Sequence, residues 1–547
     1  MARVDTRLPS VFKVLWLQGQ GIVVLWLTDW GDSGLDQANV LNFLGRPEAY
    51  GQSAATVERI ETHASFVFLL GDRAYKVKRA VKYPFLDFST LAKRHAACLN
   101  ELRINTKTAP HLYLEVVPIS LEFDGTFTLR GEGEVVEWAL VMRRFDQEGL
   151  YDSMAAEGRL GLEAMAPLAG AIATFHAAAD RTLTEDQAVK PLDRVILEHE
   201  TVFAGAPDLF PPDAAQDLAL QTREAFEALT PLLRMRAQSG YVRHCHGDLH
   251  LRNIVEIAGA PVLFDALEFD DSLATIDVLY DLAFLLMDFG KRGLSAHANA
   301  VLNAYLDASG SSGNFFGLAA LPLFLSVRAA IRAKVELFRA RTAIDGNAKR
   351  VIEESRAYFD LANGFLTASP PRLVVIGGLS GSGKSAVGRA IAPEVGLFPG
   401  AVHIRSDVER KRLFDVAQDE RLPESAYEPG VSPQVYSMCR KRAALALKAG
   451  CSVIVDAVHA KPEERDAIVK LAAEYGAAFT GLWLDVPVGV MQTRVAARQG
   501  DVSDATPSVV EVQSAYDLGE ISFDRIDGSG TVDEVSAACL ERVVTTP

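Results

Sequence analysis

Two short stretches of the chain combine residue types that could carry phosphate chemistry. The first is Gly378-Leu379-Ser380-Gly381-Ser382-Gly383-Lys384-Ser385, which fits the pattern G-x-x-x-x-G-K-[ST]. Glycines there let successive backbone N–H groups turn inward around phosphates, and the helix start that follows adds its partial positive charge. Lys384 is then expected to reach the β/γ-phosphates and the Ser385 hydroxyl to bind Mg²⁺. The second stretch is His246-Gly-Asp248-Leu-His-Leu-Arg-Asn253, followed by Val262-Leu-Phe-Asp265. In-line transfer from Mg·ATP needs one carboxylate to orient a hydroxyl and take its proton, and an amide and a second carboxylate to hold the metal. Asp248 is the expected base, with Asn253 and Asp265 as the expected Mg²⁺ ligands.

The phosphate loop alone says only nucleotide binding, so the residues downstream must narrow the chemistry. In His403-Ile-Arg-Ser-Asp407-Val-Glu-Arg410 the acid and the arginine stand three apart, which on a helical start puts both on one face. Asp407 could take a proton from an acceptor hydroxyl while Arg410 holds an anionic acceptor group; the plainer alternative is a helix cap beside solvated basic residues. Arg494 and Arg498 stand four apart after the strand Leu482–Asp485 and are expected to close over the transferring phosphates, a solvated face being the alternative. Asp456, at the end of the strand Ser452–Val455, is the candidate second-strand carboxylate near Mg²⁺ or acceptor, against an ordinary turn acid. This combination of P-loop, Ser-Asp-x-x-Arg and Arg-x-x-x-Arg resembles the kinase group that contains polynucleotide 5′-kinases, gluconate kinases and zeta toxins. The resemblance covers about Pro371 to Pro547 and implies transfer from ATP to a hydroxyl with Asp407 as base. The signature Leu-Ser-Gly-Gly-Gln of transporter ATPases is missing from the sequence.

The spacing from Asp248 to Asn253 matches the protein-kinase catalytic loop, and Asp265 stands where the metal-binding Asp of D-F-G would stand. A kinase of this plan also needs a strand lysine paired with a helix glutamate. Lys76 in Arg73-Ala-Tyr-Lys-Val-Lys78, with Glu101 in the helical stretch Leu91 to Asn105, is the expected pair. Lys78 shares the same strand face and is a rival, and a surface lysine is the plain alternative. A G-x-G-x-x-G loop is missing; Glu61-Thr-His-Ala-Ser65 stands in its place, with Ser65 a candidate substitute. His246 is expected to brace the loop, and His250 carries no assigned role. Residues from about Val57 to Leu366 resemble the aminoglycoside and choline phosphotransferases, whose fold is that of protein kinases. The whole order, ending in a P-loop domain, resembles fused aminoglycoside phosphotransferase/ATP-binding proteins. In Ile276-Asp277-Val-Leu-Tyr-Asp281, which matches the helix after that family's metal loop, both acids are expected to be structural caps.

Short strands (Phe66–Leu70, Ala74–Val77) and the helical stretch Leu91 to Asn105 precede a mostly helical region, Leu160 to Leu366. Trp138 to Phe145 is the expected strand between the two lobes. After Thr367-Ala-Ser-Pro-Pro-Arg372, which reads as a linker, strands Leu373–Ile376, Ser452–Val455 and Gly481–Leu484 alternate with helices Ser385–Ile391, Val435–Ala449 and Lys461–Tyr475. Alternation of that kind makes a parallel sheet with crossover helices. The expected fold class is therefore multidomain: an α+β protein-kinase-like two-lobed domain over 41–366, a linker over 367–372, and an α/β P-loop domain over 373–547. Residues 1–40 are expected to be a non-targeting extension. Their apolar stretch Val11 to Trp30 is interrupted by Lys13, Gln18, Gln20 and Asp29, and its longest clean run, Gly21 to Leu27, falls far short of the roughly 20 apolar residues that span a bilayer.

At 547 residues the chain exceeds one core, and 49% apolar with 23% charged residues is an ordinary globular composition. The formal charge of −16 disfavours long nucleic acid as a partner, although Lys411, Arg412, Arg440, Lys441 and Arg442 could form a local basic groove. Five scattered cysteines without a Cys-x-x-Cys pair suit a reducing, cytoplasmic setting with no membrane partner. Two ATP-dependent centres with small-molecule or nucleotide-like hydroxyl acceptors are the expectation. The alternatives are that one module binds ATP only to regulate the other, or that the C-terminal module repairs polynucleotide ends.

Overall fold

The computed structural model describes residues 33–53, 56–62, 64–83, 86–342, 348–428, 430–497 and 502–545. The stretch Val11 to Trp30 and Arg498 lie outside the described residues. The chain divides into two compact units, Met1–Leu150 with Val262–Asp271, and Tyr151–Pro261 with Ser272–Pro547. The compact division thus falls at Leu150, and the proline segment before Arg372 lies inside the second unit.

In the first unit a helix, α1 (Ser33–Leu44), precedes a six-stranded antiparallel sheet. Its strands are β1 (Glu58–Glu61), β2 (Ser65–Leu70), β3 (Arg73–Lys78), β4 (Tyr113–Leu121), β5 (Phe127–Leu129) and β6 (Glu134–Arg143), in the order β1-β2-β3-β6-β4-β5. Period-two alternation puts Phe66, Phe68, Val77, Val117, Ile119, Ala139 and Val141 in one core with Val40, Leu41 and Leu44 of α1. The same alternation sends Lys76 and Lys78 to the opposite face. Helix α2 (Leu91–Asn105), capped by the Thr90 side chain accepting from the Lys93 N–H, lies on that side and buries Glu101 completely. The span of α2 is the one the sequence predicts.

The second unit opens with helices α3 (Met165–Ala178), α4 (Glu185–Ala204), α5 (Pro212–Gln238), α6 (Val278–Lys291), α7 (Ser295–Ser309), α8 (Leu321–Thr342) and α9 (Ala348–Phe365). Helix α6 is buried all round from Val278 to Phe289, as a core helix must be. Ser312–Arg341 is long and apolar enough to cross a membrane, but 78% of its apolar 18-residue window is buried inside the protein. A parallel sheet follows: β7 (Arg372–Gly377), β8 (Val402–Arg405), β9 (Val453–Asp456), β10 (Ala478–Asp485) and β11 (Asp524–Asp527), ordered β8-β9-β7-β10-β11. Helices α10 (Lys384–Ile391), α11 (Ser406–Leu413), α12 (Val431–Lys448), α13 (Pro462–Glu474) and α14 (Val488–Ala496) lie between its strands, and α15 (Val532–Thr545) follows the last. The expected strands and helices are all present, the largest shifts being the starts of β6 at Glu134 instead of Trp138 and of α12 at Val431 instead of Val435. Strand order reverses on either side of β7, so the loop after β7 lies at the switch point where α/β sheets bind ligands.

Candidate active sites

In the first unit Lys76 lies 2.8 Å from Glu101 Oε1, the partner expected for it, and also 2.6 Å from Asp265 Oδ1. Burial pushes the Lys76 ammonium down, but Asp265 and Glu101 outweigh it and hold its pKa well above the usual value. Asp265 sits at φ 58°, a left-handed conformation, and its N–H donates to Tyr113 Oη at 3.0 Å. The next N–H, of Ala266, donates to Asn105 Oδ1 at 2.8 Å. Lys78 is not displaced by this arrangement. Its Nζ sits 2.5 Å from the other oxygen of Glu101 and also pairs with Glu268. Both lysines therefore grip one glutamate, and neither is a surface residue, their side chains being 13% and 1% exposed. Where a glycine-rich loop would lie, the β1–β2 turn is closed by Thr62, whose Oγ1 accepts from the N–H groups of Ala64 and Ser65.

In the second unit the Asn253 Nδ2 donates to Asp248, at 3.0 Å to its carbonyl and 3.1 Å to Oδ2, while His250 Nε2 stands 3.4 Å from the same carboxylate. Burial pushes the Asp248 carboxyl up, but His250, Arg332 and His246 together hold it well below the usual carboxylate range. The loop itself is hung on α6. Asp281 accepts from the His246 N–H at 3.1 Å and the Gly247 N–H at 2.8 Å, and Asp288 accepts from the Leu251 N–H at 3.0 Å. Gly247 has φ 78°, which a side chain would strain. Asp277 caps α6 as expected, accepting from the Leu279 N–H and pairing with Arg236. Asp281 does not cap: it is fully buried, bonded to His176 Nε2 at 3.1 Å, and braces the loop instead. His176 in turn bonds Tyr305 through Nδ1 at 2.9 Å.

The loop after β7 runs through left-handed glycines 378, 381 and 383 into α10, whose N-cap is Gly383. A cleft of about 360 Å³ opens here, lined by Ser380 to Val387 together with Asp407, Asp456 and Arg494. Lys384 reaches back to the Leu379 carbonyl at 3.0 Å, and Gln513 Oε1 accepts from the Ser380 N–H at 2.8 Å. Asp456 is buried and bonded to His403 Nε2 at 2.8 Å. Burial pushes its pKa up, but the His403 bond and charge together with Lys384 and Arg405 outweigh this and hold it below the usual carboxylate value. Two arginines stand differently from expectation. Arg410 is not among the described residues that line the cleft; its guanidinium bonds the Ala426 carbonyl and Ser432 Oγ and lies over Tyr427. Arg494 lines the cleft but donates to the carbonyls of Gly528, Ser529 and Gly530, holding the turn after β11. His403 and Gln513 are site-shaping residues that motif spacing did not reveal, because their partners lie far away in sequence; Lys78, the rival to Lys76, and Asp281, an expected cap, take roles the spacing did not assign them.

Residues 49–321 match the family model described as phosphotransferase enzyme family, and residues 373–516 match one described as AAA domain. A protein of Mycobacterium tuberculosis (strain ATCC 25618 / H37Rv), designated uncharacterized, is 29% identical over 477 residues, covering 86% of this chain and 92% of the relative. Among solved structures, a choline/ethanolamine kinase family protein from Mesorhizobium loti is 14% identical, with 60% of this chain and 99% of that one covered and a TM-score of 0.38. A gluconokinase from Sinorhizobium meliloti 1021 is 22% identical, with 32% and 94% covered and a TM-score of 0.23. The chain thus joins a domain matching the phosphotransferase enzyme family to a P-loop domain matching the AAA model.

Proposed function

We propose that each module passes the γ-phosphoryl group of ATP to a hydroxyl of a small or nucleotide-like acceptor. What carries this for the P-loop module is that Asp407 opens into the same cleft as Lys384, Ser385 and Asp456. Asp407 takes the hydroxyl proton as the acceptor oxygen forms its bond to the γ-phosphorus and the bond to the β-γ bridging oxygen breaks. Lys384 and the loop N–H groups hold the phosphates. In the phosphotransferase module Asp248 takes the proton, and Lys76, steadied by Glu101, turns to the phosphates.

Hard oxygen donors suit Mg²⁺. Ser385 and Asp456 would hold it in the P-loop module, where the ion would neutralise charge on the phosphate oxygens, and the sequence motif offers Asn253 and Asp265 as ligands for the first module. The five cysteines are all free thiols, which supports a reducing, cytoplasmic setting. The acidic balance of −16 favours small acceptors over polynucleotides.

The test is ATP turnover, with radiolabelled γ-phosphate and a panel of sugars, aminoglycosides, nucleosides and 5′-hydroxyl oligonucleotides. Lys384→Ala is expected to leave reduced turnover that disappears only when Asp248→Ala is added. Complete loss in Lys384→Ala alone would mean that the first centre does not turn over.

A further inference from the structure

We propose that helix α7, which belongs to the phosphotransferase domain, is a built-in part of the P-loop centre, with Asn303 and Asp307 positioning the segment that carries Asp407. The inference rests on the reading of Asp407 as the base of that centre. Strand β8 is the outermost strand of the parallel sheet, so one side of it has main-chain groups that no neighbouring strand can pair. Helix α7 supplies the pairing. Asn299, Asn303 and Asp307 stand four residues apart and therefore share one face of the helix.

Asn299 Nδ2 donates to the carbonyls of Pro399 and Ala401, both at 3.0 Å. Asn303 Nδ2 donates to the Ala401 carbonyl at 3.2 Å, and its Oδ1 accepts from the His403 N–H at 2.7 Å. Contacts at every second residue, accepting from an N–H and donating to a C=O, are those a sixth strand would make. The next residue in that alternation is Arg405, which donates to Asp307 Oδ2 at 2.7 Å. Arg412, at the far end of α11, donates to the Asp307 carbonyl at 3.1 Å. Asp307 therefore holds the entry and the exit of the short helix whose first turn carries Asp407. His403, pinned by its main chain to Asn303, bonds Asp456 with its ring.

The surroundings make the contact a packed one. Asn299 is buried, and a Cβ built at Gly290 of α6 would fall 2.9 Å from the ring of Phe398, just before β8. Phe365 of α9 packs on the same ring at 5.4 Å. Helix α6, which braces the Asp248 loop through Asp281 and Asp288, packs directly on α7. One pair of consecutive helices thus supports the loop of the first centre and the edge of the second.

The test uses the full chain in an Asp248→Ala background, so that turnover reports the P-loop centre. Asn303→Ala and Asp307→Ala are expected to lower kcat about ten- to hundred-fold, as a misplaced base does, with KM for ATP little changed because the α7 residues named above bond the segment 399–412. Asp307→Glu is expected to restore part of the loss. Amide exchange over 403–413 is expected to rise about five-fold or more in Asn303→Ala, with 378–391 unchanged. Unchanged kcat with unchanged exchange, or a loss spread equally over kcat, KM and exchange across the sheet, would overturn the proposal. Should the Asp248→Ala parent show no turnover, the kinase reading of this centre fails, and exchange confined to 403–413 still decides whether α7 holds the edge.

Discussion

His459, three residues after Asp456, makes the second unit sensitive to acid. It is 1% exposed, sits at φ 49°, and has neither ring nitrogen hydrogen-bonded among the described residues. Its neighbours are the rings of Tyr436 and Phe523, at 5.3 and 6.3 Å. Burial pushes the imidazole pKa down to about 3; Asp456 opposes this, and Lys384, Arg465 and Arg440 add to it. In the unfolded chain the same ring titrates near ~6.5. The folded state therefore keeps its advantage above that value and loses it as pH falls, since only the unfolded chain takes up the proton. At pH 5 the unfolded ring is about 1.5 units below its pKa, and each unit is worth ~1.4 kcal/mol, so His459 removes about 2 kcal/mol of stability relative to pH 7.5. That figure needs only a folded pKa below about 4. His459→Asn, chosen because Asn tolerates the left-handed backbone, abolishes the linkage whatever its own packing penalty. Urea unfolding followed through Trp483, buried in β10, is expected to show the variant gaining about 2 kcal/mol on the wild type between pH 7.5 and pH 5. An identical difference at both pH values would refute the reasoning.

Two further outcomes follow from the first centre. Glu101→Gln keeps the shape of a fully buried side chain that faces both Lys76 and Lys78 but removes its charge, so it should destabilise the first unit by about 3 kcal/mol and lower turnover in a Lys384→Ala background; a denaturation midpoint equal to wild type would count against the shared grip. Asp248 is held ionised well below the usual carboxylate range, so its contribution is present above ~pH 4 and is lost only at lower pH. The pH profile of the same Lys384→Ala protein should accordingly show no acid limb from this group above pH ~5, and His250→Gln should move the limb upward. A limb near pH ~6 that ignores His250 would contradict that assignment.

How much of this was legible in the residues depends on how far apart the partners lie. Gly378 to Ser385, and Asp248 with Asn253, are held by covalent neighbours over a few residues, so their spacing alone announces their geometry. Lys76 with Glu101 was legible one step further away, because a strand lysine and a helix acid are parts of a known plan. The choice between Lys76 and Lys78 was not, since period two puts both on one face and only α2 shows that Glu101 has an oxygen for each. For Arg410 and Arg494 the helical spacing located the residues, but the guanidinium groups found carbonyls of Ala426 and Gly528, chosen by loops that no local pattern describes.

By itself the sequence determined the two nucleotide-handling motifs, the order of a kinase-like domain and a P-loop domain, and the parallel character of the second sheet. These follow from local periodicity and from residues within one turn or loop of each other. Tertiary structure alone decided that Asp281 braces the Asp248 loop, that His403 bonds Asp456, and that Asn299, Asn303 and Asp307 stand in for a strand along β8. Buried polar groups must find partners wherever packing brings them, and partners 34 to 102 residues apart leave no trace in spacing.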